Sequence, residues 1–192
     1  MRKHRVAVLI SGRGSNMQAL AEAARDPAFP GEIVLVLSNR PQAQGLQTAR
    51  AMGIPTQALP GKDFATRDAF DAAMTAALEA QGVEAIALAG FMRILSPGFV
   101  RRWAGRMVNI HPSLLPAYPG LDTHARALAA GDSEAGCTVH LVTEALDAGP
   151  ILAQARVPIL AGDTPDSLSD RVLAAEHRLY PQALAGFLAT LA

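Results

Sequence analysis

The sequence predicts an α/β fold: a mostly parallel, twisted sheet with helices on both faces. Three observations carry this. Short apolar runs alternate with longer segments of helical period, the runs are apolar at every position rather than every second one, and turn residues separate them. "RVAVLI" (5–10) is the first strand, and "SNMQALAEAAR" (15–25) the first helix, with Ser15 or Asn16 as its cap. "EIVLVLSN" (32–39) is the second strand. "AQGLQTARAMG" (43–53) is the second helix, closed by Gly53 just past its end. A short third strand follows at 56–59. The longest internal helix spans 63–82, capped by Asp63, with Phe64, Phe70, Met74, Ala77 and Leu78 as its apolar stripe. "EAIALA" (84–89) and "RMVNI" (106–110) are strands four and five, joined through a short helix that has Pro97 at its first position.

Beyond residue 131 the pattern changes. "GCTVHLVT" (136–143) and "PILAQARVPIL" (150–160) are two strands joined by "EALDAG", an antiparallel appendage to the sheet. Residues 164–192 form one long C-terminal helix with Thr164 as cap, Pro165 at N1 and a kink at Pro181. The architecture is Rossmann-like in outline. The expected organisation is a single domain over 1–192, since no repeat, low-complexity tract or linker interrupts it.

The composition narrows the function. The chain has 192 residues, half of them hydrophobic, which suffices for a sizeable core. Seventeen basic residues balance seventeen acidic ones, so no basic face calls for nucleic acid, and small-molecule ligands are the expectation. Cys137 is the only cysteine, which leaves no intramolecular disulfide and no paired-cysteine metal site; it reads as a small core residue. No window has the roughly 18 apolar residues of a membrane span, and the N-terminus lacks a secretory pattern. The expectation is a cytoplasmic enzyme with no membrane partner, and a monomer or homodimer.

In open parallel sheets ligands collect beyond the carboxyl ends of the strands. "SGRGSN" (11–16), "AGFMRILSP" (89–97) and "NIHPSLLP" (109–116) all fall there. The first is a glycine-rich turn into a helix: either an ordinary tight turn or an anion site, where free helix-start amides receive a phosphate. It lacks the third glycine of a dinucleotide fingerprint and the Lys-Ser/Thr of a Walker loop. In the third, Asn109 and His111 stand two apart on an extended backbone and so face the same way. Histidine moves protons near neutral pH, and an amide N–H can stabilise a developing oxyanion. Asp147 lies in a Gly/Pro-bounded turn and is either a turn former or a carboxylate that favours a charged imidazole nearby. His140 is able to face core or site, His124 is a further candidate, and His4 and His177 read as structural. No liganding pair at helical spacing supports a metal. Ser113 is too close to His111 along a proline-bounded turn to make a productive nucleophile pair.

"VLISGRGSNMQAL", "VLSNR", "LAGFMRILSP", "NIHPSLLPAYPGL" and "ALDAGPILAQARVPI" together resemble the phosphoribosylglycinamide formyltransferases, within the folate-dependent formyltransferase superfamily, over residues 5 to about 185. The resemblance implies formyl transfer from 10-formyltetrahydrofolate, as co-substrate and without a metal, to the amine of 5′-phosphoribosylglycinamide in purine synthesis. It implies catalytic Asn109, His111 and Asp147. Gly14, Ser15, Asn16 and Glu176 would hold the ribonucleotide. Arg67, Met92, Arg93, Ile94, Leu95 and Asn109 would hold the folate. This chain has Ala148 where many such sequences have glycine, expected to stiffen that loop, and Asp122 where some have histidine. The sequence alone leaves three alternatives: a 10-formyltetrahydrofolate hydrolase or another folate-dependent formyltransferase, an NADP oxidoreductase using Arg40, and a non-catalytic binding protein.

Overall fold

A computed structural model describes residues 2–191. Met1 and Ala192, the ends of the expected single domain, lie outside the described residues. Among the latter the strands β1 (His4–Ile10), β2 (Gly31–Ser38), β3 (Thr56–Ala58), β4 (Ala85–Leu88), β5 (Met107–His111), β6 (Glu134–Leu141) and β7 (Ile151–Pro158) form one seven-stranded sheet. Its order is β3-β2-β1-β4-β5-β6-β7. The pairs from β3 through β5 are parallel, and β5–β6 and β6–β7 are antiparallel. The mostly parallel sheet with an antiparallel C-terminal edge is therefore as expected.

The helices are α1 (Ser15–Ala23), α2 (Gln44–Ala51), α3 (Arg67–Ala80), α4 (Pro97–Arg102), α5 (Thr123–Ala130) and α6 (Pro165–Leu188). They cover both faces, and β1 explains how. Val6, Val8 and Ile10 join one core with Met17 and Leu20 of α1 and Val172, Tyr180 and Leu184 of α6. Ala7 and Leu9 point the other way, into a second core with Phe70 and Met74 of α3 and Phe99 and Trp103 of α4. A strand buried on both faces has no polar alternation, which is why its sequence reads as an unbroken apolar run. No helix among the described residues is long and apolar enough to cross a membrane.

Several boundaries differ from the sequence reading. α1 is capped by Gly14, at φ 75°, and not by Ser15 or Asn16, which are already helical. α3 starts four residues later than expected: Gly61–Asp63 makes a separate 3₁₀ turn, and Thr66 caps the helix by accepting from the Ala69 amide at 3.1 Å. Phe64 still meets Phe70 edge-on, with ring centroids 5.4 Å apart, so its apolar contact survives outside the helix. α5 has no counterpart in the sequence reading. α6 has the expected Thr164 cap and Pro165 at N1, runs on through Pro181, and ends at Leu188.

The strand order reverses between β1 and β4. Ser11, after β1, and Gly90, after β4, meet across that switch, with the Ser11 amide donating to the Gly90 carbonyl at 3.1 Å. This is the place where an open α/β sheet leaves a crevice.

Candidate active site

The antiparallel join of β5 to β6 builds the centre of the site. Its register puts Asn109 opposite His140 and His111 opposite Thr138. Asn109, His111 and His140 are thus strand residues, fixed by ladder hydrogen bonds. His140 is buried, and its Nδ1 lies 2.9 Å from the Leu141 carbonyl. A carbonyl only accepts, so Nδ1 carries the proton. Burial lowers the pKa of His140, against the smaller opposing pull of that hydrogen bond and of Asp147. The ring is then neutral, and its Nε2 accepts from the Asn109 amide at 3.2 Å. That contact sets which end of the amide is nitrogen and leaves its second N–H for a ligand.

His111 is also buried, and its Nε2 donates to the Tyr118 carbonyl at 2.9 Å. Its Nδ1 faces Asp147 Oδ2 at 3.5 Å, while Asp147 Oδ1 lies 3.8 Å from His140 Nε2. Both separations exceed a good direct hydrogen bond and suit a bridging water or a reacting polar group. Asp147 Oδ2 also accepts from the Gly120 amide at 2.9 Å, which ties its loop to the turn after "NIHPSLLP". Asp147 itself takes a left-handed conformation, φ 50°. Ala148 is not among the left-handed residues, so an alanine fits there without that cost. Gly149 is different: a Cβ on it would lie 1.8 Å from the Leu141 carbonyl oxygen.

The glycine loop flanks this centre. A Cβ on Gly14 would come 2.8 Å from the Gly45 Cα, at the start of α2, so Gly14 answers to close backbone packing as well as to its φ. Gly12 is exposed, with open space where its Cβ would stand. The first-turn amides of α1, including those of Ser15 and Asn16, are the free donors of a helix start. The Asn16 side chain turns inward and donates to Glu176 Oε2 at 2.7 Å. Glu176, on α6, is buried, and burial pushes its pKa up to about 7, partly offset by the Asn16 hydrogen bond.

On the other side lies the irregular segment Met92–Leu95, whose Met92 and Ile94 are 58% and 69% exposed. Leu121 and Leu146, beside Gly120 and Asp147, are equally exposed. Exposed apolar side chains gathered at a sheet's carboxyl edge suit a flat hydrophobic ligand better than water. Arg93 lies over the Phe70 ring, 4.0 Å from its centroid, one turn along α3 from the exposed Arg67.

The remaining candidates fall elsewhere. The Ser113 hydroxyl donates to the Ala117 and Tyr118 carbonyls at 2.6 and 3.2 Å. His124, its pKa lowered by burial, lines a small cavity of about 90 Å³ with Pro112, Tyr118 and Ala127, beside the turn that follows β5. Burial of Cys137 raises its thiol pKa to about 12, so it is unreactive. Asp122 starts α5 in a left-handed conformation and makes no side-chain cap. Sequence reasoning left His140 undecided and passed over Ser11. His140's role becomes visible only in the β5–β6 register, which no local pattern reveals.

The arrangement suits an acyl-transfer centre: amide and imidazole donors beside a carboxylate, at a sheet edge that also carries an anion-type loop and an exposed apolar segment. The chain belongs to the formyl transferase family, whose model matches residues 4–184. It is 47% identical over 182 residues to the phosphoribosylglycinamide formyltransferase of Escherichia coli K12, covering 95% of this chain and 86% of that one. It is 56% identical over 186 residues to the trifunctional purine biosynthetic protein adenosine-3 of Drosophila melanogaster. That alignment covers 96% of this chain but only 14% of the fly protein. Among solved structures, a phosphoribosylglycinamide formyltransferase from Brucella melitensis superposes with a TM-score of 0.95 at 56% identity, covering 100% of this chain and 98% of that one.

Proposed function

We propose that this chain transfers the formyl group of 10-formyltetrahydrofolate to the amine of phosphoribosylglycinamide, giving phosphoribosyl-N-formylglycinamide in purine synthesis. The observation that carries this is the cluster of Asn109, His111, His140 and Asp147, at the same sheet edge as the glycine loop after β1 and the exposed apolar segment after β4. The ribonucleotide phosphate sits on the first-turn amides of Ser15 and Asn16, with Gly14 giving the backbone approach, and Glu176 faces the glycinamide. The folate lies along Met92, Arg93, Ile94 and Leu95, with Arg67 at its outer end.

The amine lone pair attacks the formyl carbon, and the carbonyl π electrons move onto oxygen. The free N–H of Asn109 stabilises that oxyanion, and does so more effectively in a partly dry site than in water. His111 shares this role as the imidazolium. The attacking nitrogen loses a proton to Asp147, directly or through a water in the gap between Asp147 and His111. The C–N bond to the folate then breaks, the oxyanion collapses to the new formamide, and the leaving folate nitrogen takes up a proton. His140 stays neutral throughout and orients Asn109.

The test is a formyl-transfer assay with and without phosphoribosylglycinamide. Folate product that appears only with the acceptor, in equal amount to formylated ribonucleotide, supports transfer. Equal folate release without the acceptor, with formate as co-product, replaces this reading with hydrolysis.

A further inference from the structure

We propose that Ser11 and Asp71 are positioning residues that hold the folate-reading segment Met92–Leu95 by its two ends. Both are buried, each 3% exposed, and they come from different parts of the chain. At one end the Ser11 hydroxyl, just past β1, accepts from the Met92 amide at 2.7 Å and donates to Asn39 Oδ1 at 2.6 Å. That outgoing bond turns an oxygen lone pair towards Met92. At the other end Asp71 Oδ2, on α3, accepts from the Ser96 amide at 2.7 Å. Between the two, the amides of Arg93, Ile94 and Leu95 have no partner among the described residues. A part-exposed stretch with unpaired amides and no helix or strand of its own has no backbone support between these end contacts, only the side-chain packing of Leu95 on the second core and of Arg93 on Phe70.

The chemistry of Asp71 points the same way. A buried carboxylate is costly unless it is fully paired, yet Asp71 Oδ1 is buried without a partner. Helix packing alone is served equally well by an apolar residue at this position of α3. What the carboxylate contributes is a strong acceptor aimed at the end of the segment. Arg93 stacked on Phe70, the residue next to Asp71, adds a third contact between α3 and the same stretch. The segment's position is therefore set jointly by the sheet and by α3. Neither anchor touches the bound folate in this scheme; both act through the backbone they hold. The inference rests on the reading of Met92–Leu95 as the folate site.

The test compares binding of 10-formyl-5,8-dideazafolate and of phosphoribosylglycinamide by calorimetry, in wild type, Ser11→Ala, Asp71→Ala and Asp71→Asn. Loss of one anchoring hydrogen bond should weaken the folate analogue about tenfold, with the ribonucleotide within about threefold. Asp71→Asn keeps an acceptor oxygen and should restore most of the affinity. Amide hydrogen exchange at Met92 should quicken in Ser11→Ala alone, and at Ser96 in Asp71→Ala alone, in protein that is otherwise protected as wild type. Unchanged analogue affinity in both alanine variants, or a parallel loss for both ligands, overturns the proposal. If wild type binds no analogue, the folate reading fails and takes the anchors with it. Wild-type binding with unaffected variants removes the anchors alone.

Discussion

The site is assembled from two kinds of support. Asn109 and His140 stand on strands paired on both sides, and His111 pairs with Thr138 of β6, so the sheet fixes their spacing. Asp147 stands on the loop from β6 to β7, in a left-handed conformation, between exposed Leu146 and Ala148, and one amide, Gly120 N, holds its carboxylate. The strand-borne groups are pre-aimed by the fold itself. The loop-borne group depends on a single contact and on a glycine that no side chain can replace. In the proposed reaction the strands thus supply precision for the oxyanion donors, and the loop supplies the proton acceptor that completes them.

The largest effect should come from the strand-borne set. His111→Ala removes a proposed oxyanion donor and leaves the Tyr118 carbonyl only its longer Ser113 contact. It should lower kcat by roughly 10²–10⁴-fold. A kcat within about tenfold of wild type, in steady-state assays, would break the claim that β5 carries the reaction centre. Next, the loop is probed by two neighbouring changes. Gly149→Ala must displace the loop, since its Cβ would meet Leu141 O at 1.8 Å. It should cut kcat by an order of magnitude or more, whereas Ala148→Gly should leave it within about twofold. Equal effects of the two would show that the loop's path does not matter.

A helix-borne carboxyl sharpens the comparison. Glu176 is raised from 4.5 to about 7 by burial, so the folded protein binds a proton there that the unfolded chain has lost between those values. Unfolding then releases a proton, and stability falls as pH rises from about 4.5 through about 7. In the ligand-free protein Glu176→Gln has no charge to bury. It should exceed wild type in stability at pH 8 by up to roughly 3 kcal/mol and match it near pH 4.5. Urea melts at the two pH values decide this, and a difference independent of pH would contradict the burial argument. The smallest effect is expected at the glycine loop. Gly12→Ala places a methyl in open space on the exposed side of the turn. It should raise the KM for phosphoribosylglycinamide severalfold, with kcat, folate KM and melting temperature nearly unchanged. Gly14→Val is a poorer probe, because its side chain collides with Gly45 before it meets any ligand.

The same contrast explains what the sequence could reveal. Strands buried on both faces and helices with clear caps, such as Thr164–Pro165, announce themselves locally, and so does a pair like Asn109 and His111 on one face. The start of α3 is ambiguous in sequence because Asp63 and Thr66 are both fair caps, and only the 3₁₀ turn at Gly61–Asp63 separates them. α5 is only eight residues long, with two buried positions and Asp122 at its start making no side-chain cap, so its helical period is too short to stand out. His140 facing Asn109 and Asp71 facing Ser96 are contacts between distant stretches. Their meaning lies in strand register and helix docking, which no short window contains.

In the proposed reaction the loop-borne carboxylate completes the strand-borne donors during formyl transfer. Single-turnover transfer by Asp147→Asn, with both substrates saturating, tests it most directly. The substitution keeps size and can keep an oxygen on the Gly120 amide, but removes the charge. The transfer rate should fall by about 10²-fold or more, with both dissociation constants within about threefold of wild type. A rate within about threefold of wild type would make Asp147 a turn residue with no part in the proton transfer.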